Sequence, residues 1–165
     1  MTKFETIKSF LVAGIGFGVF FGAFMGFFFW SVEAGVLAGV LGGLLFGGII
    51  CLFVNSKGVK EETKVKLEKD EKILKSGGAN HFVGAESMGG RLYLTSKYLR
   101  FRSHSFNFSN HELKIPLKNI DNVEFYSVLG FVPNGLKIST KEQVVEKFVT
   151  WGRKAWKEEI FKIVG

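Results

Sequence analysis

Hydrophobic and polar positions follow three different rules along this chain. From Ser9 to Val32, and again from Ala34 to Val54, no residue is charged, and apolar side chains fill every helical face instead of one stripe. At about 1.5 Å of rise per residue each run reaches roughly 30 Å, enough to cross the core of a bilayer. The stretch NSKGVKEETKVKLEKDEKILKSGG, residues 55–78, is the opposite, dense in charge between terminal glycines. Its pairs Glu62–Lys66 and Glu68–Lys72 stand four apart in the favourable order, which predicts a solvated helix over part of it. After Gly78 the period falls to two. In RLYLTSKYLRFR, residues 91–102, Leu92, Leu94, Leu99 and Phe101 alternate with Arg91, Tyr93, Arg100 and Arg102, the pattern of a half-buried hairpin.

Further short strands are predicted at Leu113–Leu117, Val123–Val128, Leu136–Thr140 and Val144–Val149, with His81–Glu86 and Ile73–Leu74 leading in. Turns are expected at Gly89-Gly90, Ser96-Lys97, Pro133-Asn134-Gly135 and Lys141-Glu142. The end, WGRKAWKEEIFKIV, sets Trp156, Ile160 and Ile163 on one helical face. Short antiparallel strands closed by one amphipathic helix describe a small barrel with its open end plugged. The fold class expected is a membrane α-hairpin plus an α+β domain. The organisation expected is a two-helix transmembrane hairpin over residues 1–54, a charged juxtamembrane linker over 55–70 and a folded domain over 71–165.

Charge sharpens this division. Residues 1–54 are neutral, so all of the formal +7 falls in residues 55–165. Lys3 and Lys8 precede the first apolar run, Lys57, Lys60, Lys64 and Lys66 follow the second, and the Ser31–Ala34 turn has no basic residue. Positive charge resists translocation, so both termini are expected in the cytoplasm. A competing reading makes Lys3 and Lys8 the start of a secretory signal cleaved near Val32-Glu33-Ala34, although the apolar run exceeds the 7–15 residues or so of a signal's core. Lysines beyond a span serve as a topology signal and also attract anionic lipid. The single cysteine, Cys51, reads as a small membrane residue or an acylation site, and it forbids an intrachain disulfide.

GIGFG, from Gly14 to Gly18, invites comparison with a phosphate-cradling loop. The dinucleotide fingerprint wants glycine at positions one, three and six, and counting from Gly14 or Gly16 finds Val19 or Phe21 at the sixth. The informative spacing is four. Gly14, Gly18, Gly22 and Gly26 form one ridge and Gly35, Gly39, Gly43 and Gly47 another, each a groove into which a second backbone fits. This glycine zipper is expected to pack the hairpin, or to join copies of the chain, with Gly16, Gly42 and Gly48 lying off the ridges. A pore is disfavoured because no ionisable residue lies within either run.

GRLYLTSKYLRF, LKIPLKNIDNVEF, GLKIST, EKFVTW and the Trp-bearing helix together resemble a GRAM domain, a member of the pleckstrin-homology-like superfold, over about residues 70–163. The resemblance implies seven strands in two near-orthogonal sheets with a C-terminal helix. It also implies binding of lipid headgroups or proteins at membranes, without catalysis. Phosphoinositide-binding members carry a loop rich in Lys and Arg between their first two strands. The corresponding ESMGGR offers only Arg91, beside Glu86.

A site follows from counting. With Ser96-Lys97 as the turn, Tyr93 faces Arg100 as a cation–π pair and Arg91 faces Arg102. Like charges directly opposite destabilise a sheet unless an anion or an acidic neighbour lies over them. Arg91, Lys97, Arg100 and Arg102 are therefore the candidate headgroup or acidic-partner site, against the plainer reading of outer-face arginines served by a neighbouring acid. Phe106 and Phe108 are strand-end core residues or aromatics that dip into lipid. The spacing of His81, His104 and His111 gives no metal motif, and no nucleophile, base and orienting group assemble, so neither cofactor, metal nor catalysis is expected. A pI near 9.5 makes a basic footprint, but no nucleic-acid motif accompanies it. The expected function is presentation of a GRAM-like domain to anionic membrane lipids. The alternative is a membrane-anchored protein adaptor oligomerised by its glycines.

Overall fold

The computed structural model describes residues 3–84, 86–107, 110–128, 130 and 132–164, and divides into two compact units, Met1–Lys60 and Glu61–Gly165. Phe108 lies outside the described residues.

The first unit is built from α1 (Lys3–Phe28) and α2 (Val32–Asn55). Trp30 turns the chain at a φ of +50°, and Ser31 caps α2 by accepting the Ala34 N–H at 3.2 Å. The two helices meet where the four-residue glycine rows face each other. A Cβ on Gly18 would lie 2.6 Å from the Gly39 carbonyl oxygen, one on Gly22 2.8 Å from that of Gly35, and one on Gly14 2.8 Å from that of Gly43. No side chain fits in such contacts, so the backbones themselves touch. Gly16 and Gly48 are off this seam, with nothing within 4 Å of an added Cβ. Spans of 23 and 24 residues, at mean hydropathy 2.1 and 2.5, are long and apolar enough to cross a membrane.

After a short helix α3 (Lys57–Glu62), the second unit forms one antiparallel sheet of seven strands in the order β4-β3-β2-β1-β7-β6-β5. These are β1 (Ile73–Val83), β2 (Glu86–Thr95), β3 (Tyr98–Ser103), β4 (Glu112–Pro116), β5 (Ile120–Val128), β6 (Val132–Thr140) and β7 (Val145–Thr150). The resemblance implied two sheets; here β1 pairs with both β2 and β7 and carries a single curled sheet from one side to the other. A 3-10 turn (Leu117–Asn119) joins the two edge strands, and α4 (Arg153–Val164) packs on β5, β6 and that turn. The core gathers Leu92, Leu94, Leu99, Phe101, Val123, Leu136, Ile138 and Phe148 under Trp156 and Ile160.

Three local expectations are corrected. Gly89-Gly90 and Pro133-Asn134-Gly135 are inside strands, not turns. Their glycines serve close approach: a Cβ on Gly90 would overlap the Arg102 carbonyl, and one on Gly135 the ring of Tyr126. The buried row of α4 runs Trp156, Ile160, Val164 at intervals of four, leaving Ile163 41 % exposed. Third, α3 stops at Glu62, so the pairs Glu62–Lys66 and Glu68–Lys72 never form on a helix. Those carboxylates are used elsewhere, as described below.

One end of the core is polar. Buried His81 shares a hydrogen bond of 2.7 Å with Glu146, and its ring stacks on Phe148 and on His111 at 4.7 and 5.0 Å. His81 Nδ1 and His111 Nε2 are buried and have no hydrogen-bond partner among the described residues. Burial, and then the neighbouring His81, hold His111 below the ordinary imidazole value of 6.5, and burial lowers His104 as well. The unfolded chain therefore takes up these protons first. Stability is complete above about pH 6.5 and is lost as pH falls toward and through the lower folded values. Urea midpoints of residues 56–165 should drop between pH 7.5 and 5.5, and His111→Gln should flatten that drop; an unchanged slope would contradict it.

Candidate functional site

Along β3 the side chains of Tyr98, Arg100 and Arg102 alternate with buried Leu99, Phe101 and Ser103. The register places Arg100 between Tyr93 on β2 and Lys114 on β4, and Arg102 between Arg91 and Glu112. The counted pairings Tyr93↔Arg100 and Arg91↔Arg102 are those observed. The first of these pairs is not open to solvent, whereas the second stays partly exposed, with Arg102 at 41 %. Segment 62–71 lies along this face, and its carbonyls and carboxylates meet the outward side chains one after another.

The Tyr93 hydroxyl donates to the Thr63 carbonyl at 2.9 Å, so it is a hydrogen bond to the segment that holds this ring, where a cation–π contact with Arg100 was expected. Arg100 is buried, with one guanidinium nitrogen donating to the Lys66 carbonyl at 2.8 Å and to Glu71 at 3.2 Å, and the other to Glu112 at 3.0 Å. Lys97 Nζ donates to the Lys69 carbonyl at 2.7 Å. Glu68 receives the Tyr98 hydroxyl at 3.0 Å and the ammonium of Lys114. Glu62 receives the Ser105 N–H and hydroxyl at 2.9 and 2.8 Å.

Electrostatics follows these contacts. Burial pushes the Glu71 carboxyl up, but the Glu68 N–H, the Thr95 hydroxyl and Arg100 outweigh it and hold the group below the usual carboxylate range. Lys114 and Tyr98 lower Glu68, and Glu68 in turn raises Lys114. Both partners of that pair are half-exposed, at 41 % and 38 %, whereas the Glu71 side chain has no exposure.

The four candidate basic residues are thus separated. Arg100 is a buried structural cation and Lys97 is tied to a backbone carbonyl. Arg91 is half-buried and has no hydrogen-bond or ion-pair partner among the described residues. Among the described residues Arg102 reaches only Glu112, at 3.8 Å, and that carboxylate already serves Arg100. Tyr98, Lys114 and Glu71 are not singled out by the sequence, and Glu68 only as half of the helical pair with Lys72. The alternation of β3 marks Tyr98 as outward, but nothing in residues 62–71 signals that they would cover it.

Comparison with known proteins places this geometry. The chain is 33 % identical over 89 residues to a UDP-sugar-dependent glycosyltransferase 52 of Dictyostelium discoideum, a match covering 54 % of this chain and 5 % of that relative. The chain therefore spans about one twentieth of the curated relative it matches. Among solved structures, the C-terminal domain of a Leishmania infantum protein of unknown function superposes with a TM-score of 0.52 at 15 % identity, covering 58 % of this chain and 86 % of that one. The Vps36 N-terminal PH domain gives a TM-score of 0.48 at 15 % identity, over 64 % and 91 %. Since the GRAM family model matches residues 59–164, the chain belongs to the GRAM domain family, and its seven curled antiparallel strands closed by α4 are the pleckstrin-homology-like fold that membership implies.

Proposed function

We propose that this chain is an integral membrane protein whose GRAM domain binds anionic lipid headgroups and carries out no catalysis of its own. In this reading α1 and α2 cross the bilayer as a hairpin with both termini in the cytoplasm. Their seam is made of glycine, so the large side chains point away from it: Phe20, Leu45 and Leu52 are 77, 68 and 76 % exposed. Lipid is the solvent that suits such a surface.

The observation that carries headgroup binding is the Arg91–Arg102 pair. Arg91 and Arg102 are register partners across β2 and β3; Arg102 has Glu112 at 3.8 Å, a carboxylate it shares with Arg100, and Arg91 has no ion-pair partner among the described residues, an arrangement that an external anion relieves. Tethering to the membrane raises the local lipid concentration, so modest affinity suffices.

The test is flotation of residues 56–165 with neutral and anionic liposomes across a salt series. Arg102→Glu is expected to weaken binding to anionic vesicles roughly thirtyfold, because each basic residue near such a surface contributes about 1 kcal/mol and reversal counts twice. Binding unchanged in both Arg91→Glu and Arg102→Glu would remove this site. A second reading, a membrane-anchored adaptor for an acidic protein, has support of its own. The same face already accepts the carboxylates of Glu68, Glu71 and Glu112, and indifference to every liposome would favour it.

A further inference from the structure

Lys114 faces Arg100 across β3 and β4, and the Arg100 charge opposes that of Lys114, an effect that the Glu68 carboxylate outweighs; Lys97, at the β2–β3 turn, acts on the same carboxylate. Lys114 Nζ also lies 4.1 Å over the ring of Tyr98. The chain answers this cluster with its own segment 62–71, and the two acids it supplies are not equivalent. Glu71 is sealed under the segment, bonded to Arg100 and to the Glu68 N–H. Glu68 sits at the rim, half in solvent, its two oxygens divided between Lys114 and the Tyr98 hydroxyl. One carboxylate bound through both oxygens by an ammonium and a phenol is the arrangement a phosphate monoester would adopt on the same donors. A phosphate would also bring about twice the charge.

We infer that Glu68 is a built-in occupant of a phosphate site formed by Lys114 and Tyr98, flanked by Lys97, and that the phosphate of an anionic lipid headgroup displaces it by lifting the outer part of segment 62–71. The choice of a lipid-borne phosphate rests on the headgroup reading above, whereas the occlusion itself rests on the Glu68 contacts alone. Arg100 keeps Glu71 and the Lys66 carbonyl pinned, so the exchange costs the exposed contacts of Glu68 and Lys69 and the Glu68 N–H bond to Glu71, and leaves the Arg100 contacts in place. Exposed pairs of this kind are weak enough to be exchanged at a charged surface. Segment 62–71 also follows the apolar hairpin after the one short helix α3, so membrane anchoring would keep it near the surface that displaces it.

The full chain in detergent micelles is titrated with inositol 1,4-bisphosphate and with inorganic phosphate. In parallel, trypsin cleavage at Lys64, Lys66 and Lys69 is timed in neutral and in anionic nanodiscs. Glu68→Gln should tighten the inositol bisphosphate titration roughly threefold, the scale of an exposed ion pair. It should also speed cleavage in both discs, and the added Lys114→Gln should abolish the tightening while cleavage stays fast. Faster cleavage of the unaltered chain in anionic discs identifies the bilayer as the source of the phosphate. An equal response to inorganic phosphate identifies a soluble ligand instead and overturns the lipid assignment. If Glu68→Gln changes neither affinity nor cleavage while Arg102→Glu still weakens vesicle binding, occlusion fails and the Arg91–Arg102 reading stands. If Glu68→Gln acts as expected and Arg102→Glu does nothing, the reverse holds.

Discussion

Replacing Arg100 by Ala is expected to destabilise the Glu61–Gly165 unit by about 3–5 kcal/mol, the cost of breaking a buried ion pair from one side. In a domain of about 100 residues each kcal/mol moves Tm by about 4–8 °C, so the midpoint should fall by roughly 12 °C or more. The reason is what the substitution leaves behind. The Glu71 side chain has no exposure and would keep its charge with only the Glu68 N–H and Thr95 to hold it. The Lys66 carbonyl, which receives the same guanidinium, would lose its donor too. Thermal melts of residues 56–165 should therefore rank Arg100→Ala well below Arg102→Ala, whose side chain is 41 % exposed. The double variant Arg100→Ala with Glu71→Ala should recover part of the loss, because no unpaired charge remains buried. Equal melting of Arg100→Ala and Arg102→Ala would show that the pair contributes little. Charge reversal at Arg100 is for the same reason a poor probe of lipid binding: it tests folding first.

Arg100 also marks the limit of what the sequence makes legible. Period-two alternation places it correctly on the outer face, and the Ser96-Lys97 turn sets its register opposite Tyr93. Alternation cannot say what lies over that face. The cover is a polar segment that works through the carbonyls of Thr63, Lys66 and Lys69, and a carbonyl leaves no trace in side-chain periodicity. The i, i+4 charges of residues 62–72 suggest a helix because helix spacing is the only pattern they offer. Tertiary acceptors and donors on β3 and β4 use those charges instead. Gly90 and Gly135 mislead in a similar way, since glycine at a turn and glycine under a neighbouring backbone or ring look alike in one sequence. The C-terminal helix needed only a choice between rows at three and four residues, and the structure takes four, through Val164.

The glycine rows make a sharper test because the chain contains its own control. Gly18→Ala should force α1 and α2 apart, since its Cβ would lie 2.6 Å from the Gly39 carbonyl oxygen and 3.2 Å from the Gly43 Cα, and neither is a side chain able to turn away. Overpacking of this kind costs about 1–3 kcal/mol. Alanine's better helix propensity returns at most about 1 kcal/mol, so the seam should lose. Gly16→Ala adds the same methyl where nothing lies within 4 Å, keeps the propensity gain, and should leave the hairpin as it is. Spin labels on Cys51 and on an introduced Ile7→Cys report the separation of the helices near the open end of the hairpin in the micelle-solubilised full chain. The distance should lengthen and broaden in Gly18→Ala and in Gly39→Ala, and stay put in Gly16→Ala. If all three behave alike, the helices are held by their Phe and Leu side chains, and the glycines serve some contact outside the hairpin.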